Sequence, residues 1–174
     1  MTTTTTPRTD KHIAPTKIAI SERQREQLGE ILNVSLAMAI DLKTQLKQAH
    51  WNVTGIEFLQ VHELFDTIAV SVEEYIDLIA ERTTTLGLIA LGTARIAAAR
   101  SSLPEFPVHI HGVKAYLEVV AERVGAFGNE VRTNIERSAE IGDDTTADLY
   151  TELSRGLDKH LWFVEAHLRS HAGV

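Results

Sequence analysis

Residues 59–86 can form one long helix with two incompatible faces, and that limits what the chain can fold into. Val61, Phe65, Ile68, Val72, Ile76, Ile79, Thr83 and Leu86 recur at helical spacing and form one apolar band. A second stripe, centred more than about 100° away, holds His62, Asp66, Asp77 and Glu81. Residues four apart share a helix face, so His62 pairs with Asp66 and Asp77 with Glu81. The midpoints of these pairs lie about 22 Å apart at 1.5 Å per residue. One chain cannot close both pairs around one metal. An antiparallel copy, related by a two-fold axis near Ser71 and Val72, would set each pair against the other pair of its mate. The spacing therefore predicts two identical sites shared between two chains.

The flanking sequence supplies the rest of a helical bundle. Ser21 and Gln24 form a capping box, and Leu28, Ile31, Leu32, Met38, Leu42, Leu46 and Ala49 carry a first helix to about Val53. Gly55 allows a turn into the helix just described, which Gly87 ends. Residues 88–108 are a long link; Thr93–Arg100 is alanine-rich and reads as a short helix, bounded by Pro104 and Pro107. A third helix is expected from His111 to Ser138 and a fourth after a cap at Asp143 or Asp144, carried by Leu149, Leu153, Leu157, Leu161, Val164 and Leu168. No strand pattern or internal repeat is visible. The expected class is all-α: a ferritin-like four-helix bundle with a short extra helix in the crossover between its second and third helices. Residues 1–20 read as a flexible tail, 21–170 as the bundle and 171–174 as a C-terminal tail.

No glutamate is followed three residues later by a histidine. The Glu-x-x-His motif of an intrachain di-iron site is thus absent, and the shared site on the second helix remains.

With 44% hydrophobic and 24% charged residues, the 174-residue chain has the balance of a soluble globular protein. The net charge of −7 disfavours a general polyanion binder and suits a protein that gathers cations. Without cysteine there is neither a disulfide frame nor a thiolate metal site. No apolar run approaches the length of a membrane span, and no secretory leader is apparent, so a cytoplasmic location is expected.

Several segments together resemble a known family. They are His50-Trp51-Asn52-Val53, Gly55, Phe58, His62, Phe65-Asp66, Asp77, Ala80-Glu81-Arg82 and Leu86-Gly87. Asp144-Thr145, Ala147-Asp148, Leu157-Asp158-Lys159 and Leu161-Trp162-Phe163-Val164-Glu165 add to them. Over about residues 21–170 the chain resembles the Dps proteins (DNA-binding proteins from starved cells), the twelve-subunit mini-ferritins. The resemblance implies a dodecamer of tetrahedral symmetry that stores ferric mineral in a hollow shell. It implies a ferroxidase that oxidises Fe(II), preferably with hydrogen peroxide, and protects against oxidative stress. His50, His62 and Asp66 of one subunit, with Asp77 and Glu81 of its mate, would bind the iron. Imidazole and carboxylate suit Fe(II), and carboxylate also tolerates Fe(III). A site with few protein ligands leaves room for peroxide. Zinc would compete for the same ligands.

A lone histidine at position 50 or 62 would read as structural; five matching positions read as a metal site. Trp51 and Trp162 read by default as core aromatics; the resemblance implies that Trp51, beside a ligand position, takes up oxidising equivalents, and implies it less for Trp162. Asp143, Asp144 and Asp148 are helix caps and dipole partners first, and by resemblance they also line pores that admit iron. His12, His109, His111, His160, His167 and His171 contain one i, i+4 pair, His167 with His171, with no assigned role. The alternative function is nucleoid binding, in which the protein shields DNA physically. Arg8, Lys11 and Lys17 against Asp10 give the tail few phosphate contacts, so DNA binding is expected to be weak or absent.

Overall fold

The computed structural model describes residues 13–171. Its elements are α1 (Glu22–Asn52), α2 (Phe58–Thr85), α3 (Ala94–Arg100), α4 (Val113–Ile141) and α5 (Asp144–His171). The described residues contain no strand. Helices α1 and α2 form one antiparallel hairpin and α4 and α5 another; α1 packs on α4 and α2 on α5. The link between the hairpins runs the length of the bundle and lays α3 against α1. This is the expected four-helix bundle, with its extra helix in the crossover.

The apolar bands meet in one core. Leu28, Leu32, Leu42 and Leu46 of α1 pack with Phe65, Ile68, Val72 and Ile79 of α2, Leu117, Val124 and Phe127 of α4, and Tyr150, Leu153 and Leu157 of α5. Each such side chain contributes roughly 1.5–3 kcal/mol by leaving water. Packing is close where small residues allow it: a Cβ on Gly156 would stand 1.8 Å from the Tyr75 hydroxyl oxygen.

Helix ends follow local chemistry. The Ser21–Gln24 capping box forms, and Gln24 Nε2 also donates to Ile141 O at 2.6 Å, joining the start of α1 to the end of α4. Helix α4 starts two residues later than expected, because Gly112 has φ +80 and keeps the preceding turn out of the helix. It runs on to Ile141, where Gly142 at φ +93 closes it and Asp143 N–H donates to Ser138 O.

Part of the segment before α1 is bonded to the bundle. Ala14 N–H donates to Gly87 O at 2.8 Å, and Arg25 Nη1 donates to both Ala14 O and Leu86 O. Ala14 is thus tied to the end of α2 by one backbone hydrogen bond and by the Arg25 guanidinium, and the backbone bond needs no side-chain periodicity. Residues 1–12 and 172–174 lie outside the described residues. The crossover is pinned similarly: Asn33 bonds Ile89 O and Leu91 N–H, while Gln45 Nε2 and Arg123 Nε both donate to Pro104 O.

Candidate metal centre

The turn between α1 and α2 brings His50, in the last turn of α1, beside His62 in α2. Their rings stack with centroids 3.6 Å apart and planes 20° apart. Each ring is held by the other residue's backbone. His50 Nδ1 bonds His62 O at 2.8 Å, and His62 Nδ1 bonds His50 O at 2.8 Å. A carbonyl oxygen can only accept, so each Nδ1 carries the proton and donates. In the neutral ring this leaves the Nε2 lone pair available to a metal, with tautomer and orientation set by the partner carbonyl. Phe58 packs beside His62, its ring centroid 5.0 Å away.

Asp66, one helical turn past His62, shares an open groove with the two histidines, walled by Leu59, Glu63, Thr67, Val70 and Ser71. The hydrogen bond from Lys47 holds the Asp66 carboxyl below its usual range; the slight desolvation works against that. Lys47 Nζ lies 2.5 Å from Asp66 Oδ1. Lys47 is one turn before His50 on α1, the i, i−3 position that faces the same way. That spacing was available in the sequence, but nothing there shows that a lysine on one helix meets an aspartate on the next.

Asp77 and Glu81 are exposed near the other end of α2 and take no part in this groove. Among the described residues, no three His, Asp or Glu side chains of one chain are grouped to hold a metal ion. His50, His62 and Asp66 line one groove without forming such a cluster, and Asp77 and Glu81 stand apart from it, farther along the same helix.

The remaining candidates lie elsewhere. Trp51 is 67% exposed and lines a different depression, with Gln48, Glu105, Phe106 and Val108. Trp162 is exposed on α5, its ring 5.0 Å from that of Phe163. Asp143 is only 4% exposed, with Arg82 Nη2 at 2.7 Å from its Oδ2 and Thr146 donating to the same oxygen. Burial alone would raise its pKa; the hydrogen bonds from Thr146 and Arg82 outweigh that and hold it below the usual carboxylate range. Asp144 and Asp148 are exposed on the first turns of α5. His167 Nδ1 donates to Phe163 O within its own helix. His12 and the side chain of His171 lie outside the described residues.

A family model described as a ferritin-like domain matches residues 29–172. The DNA protection during starvation protein of Agrobacterium fabrum is 42% identical over 154 residues, covering 88% of this chain and 95% of its own. Its namesake in Mycolicibacterium smegmatis is 31% identical over 154 residues, covering 88% of this chain and 84% of its own. Among solved structures, DpsC from Streptomyces coelicolor superposes with a TM-score of 0.86 at 32% identity, over 94% of this chain and 95% of that one. Mycobacterium smegmatis Dps, in a tetragonal crystal form, gives 0.83 at 30% identity, over 90% and 92%.

Proposed function

The chain belongs to the ferritin-like family, in its Dps branch, and on that premise we propose that it is a peroxide-driven ferroxidase that stores iron. The observation that carries the reading is the mutual lock of His50 and His62, which frees both Nε2 atoms beside Asp66. Two-fold pairing through α2 brings Asp77 and Glu81 of a second subunit to that groove, so each pair of chains holds two sites. Iron is the substrate. Two Fe(II) ions each give one electron to a peroxide; its O–O bond breaks, and two protons taken up complete two waters. The ferric product passes into the cavity of a dodecameric shell. Zinc occupies the same ligands without a redox change and blocks turnover.

The exposed Asp144 and Asp148 are the acids available to draw iron toward the shell, whereas Asp143 is engaged by Arg82. Trp51 stands next in sequence to a ligand and serves as a sink for stray oxidising equivalents. The protein works in the bacterial cytoplasm; no described helix is long and apolar enough to cross a membrane.

Metal-stripped protein given anaerobic Fe(II) and then substoichiometric peroxide should develop ferric absorbance within seconds. Glu81→Ala should slow this by roughly 100-fold while the shell stays assembled. Oxidation no faster than in buffer would overturn the reading.

Physical shielding of DNA is the second reading, favoured by the names of the relatives. The net charge of −7 weighs against it. In a gel shift at about 150 mM salt the protein should leave duplex DNA unretarded. Tight retardation abolished by deleting residues 1–12 would reverse that order.

A further inference from the structure

The shared site proposed above poses a selectivity problem. Asp66, with Asp77 and Glu81 from the facing subunit, makes it rich in carboxylate. Glu63, Thr67 and Ser71 add oxygens along the groove wall. Oxygen-rich sites suit Ca²⁺ and Mg²⁺, hard cations that take six or more oxygen ligands. Such a groove would accept these ions in competition with Fe(II).

One feature of the groove opposes that outcome. Among the described residues the hydrogen-bond partner of Asp66 is Lys47, whose ammonium takes Oδ1 at 2.5 Å. A neighbouring rung, Lys43 with Glu73 at 2.6 Å, fixes α1 against α2 at the same side. An ammonium on one oxygen restricts Asp66 to binding through the other, and it sets a positive charge beside any arriving cation.

We propose that Lys47 sets the metal selectivity of the groove: as a built-in cation on Asp66 Oδ1, it rejects hard alkaline-earth ions. First-row divalent ions are admitted because the Nε2 atoms of His50 and His62 compensate them for the lost oxygen. Calcium and magnesium gain little from imidazole and find no compensation. The inference rests on the metal-site reading above and names the residue that tunes it.

The test uses the full chain, assembled and stripped of metal. Co(II) is the probe, since its visible absorbance reports binding without turnover, and CaCl₂ is the competitor. Lys47→Gln should let Ca²⁺ displace Co(II) about tenfold more effectively than in wild type. The affinity for Co(II) alone should rise by less than that for Ca²⁺, because the imidazole nitrogens are donors that do not depend on Lys47. Lys47→Arg keeps the charge and should keep the wild-type ratio. A ratio unchanged in Lys47→Gln overturns the proposal, as does an equal shift in Lys47→Arg. Circular dichroism checks that each variant is folded. If the wild-type Co(II) spectrum survives His62→Ala, the site reading itself is wrong, an outcome distinct from failure of the Lys47 ratio alone.

Discussion

Shells co-assembled from two inactive variants should regain about a quarter of the wild-type sites. One variant lacks His62 and Asp66, the other Asp77 and Glu81. Each alone is expected to be dead toward Fe(II) and peroxide, because every two-fold interface then joins a good half-site to a ruined one. In a mixed pair, one site loses both halves, while the other receives an intact half from each chain. Random assembly makes about half the interfaces mixed, and each of those restores one site of two. The expectation follows from the distance between the two pairs on α2, about 22 Å. It follows also from the absence, among the described residues, of any such cluster within one chain. Mixing preformed shells restores nothing and serves as the control. Co-assembled shells as inactive as their parents would exclude the shared site. Substantial activity in either variant alone would place the chemistry elsewhere.

The parts of this molecule that were legible in the sequence are those fixed by helical period. Phe65, Ile68, Val72 and Ile79 are buried as their spacing requires, and His62, Asp66, Asp77 and Glu81 lie outside that band. The Ser21 capping box and the helix stop at Gly142 are local devices and read directly. What the sequence hid depends on contacts between distant segments. Lys47 reads as an ordinary helix-surface lysine until α1 and α2 are packed with His50 beside His62. Asp143 reads as a helix cap and dipole partner, yet Arg82, 61 residues earlier, also holds it in a largely buried ion pair. Ala14 bonds through backbone to Gly87, and backbone bonds leave no residue signature. Trp51 adjoins His50 in sequence but faces another depression, since consecutive residues on a helix point about 100° apart.

Replacing Val70 with glutamate should dissolve the two-fold pair and abolish oxidation while leaving the single chain folded. Val70 lies on the ligand stripe of α2, within two residues of the expected axis, and is 56% exposed. Leu59, on the same stripe, is also 56% exposed. Two large aliphatic side chains flanking a ligand groove are surface that a partner is expected to cover. Covering Val70 in both copies contributes roughly 1.5–3 kcal/mol for each side chain. A glutamate there would be buried opposite Glu73 of the facing subunit and about one helical turn from its own symmetry mate. An unpaired buried charge costs about 3–5 kcal/mol, and the like charges add to it. The fold of one chain is spared because Val70 lies outside the core cluster. Sedimentation should therefore show species far smaller than the wild-type shell, with helical circular dichroism retained and peroxide-driven oxidation no faster than buffer. Val70→Ala, which removes apolar contact without adding charge, should weaken assembly by only about 1–2 kcal/mol and leave the shell intact at micromolar protein. A Val70→Glu shell of full mass and full activity would mean that α2 does not pair along this stripe. Asp77 and Glu81 would then need another partner, and the shared metal site would fall with the interface that builds it.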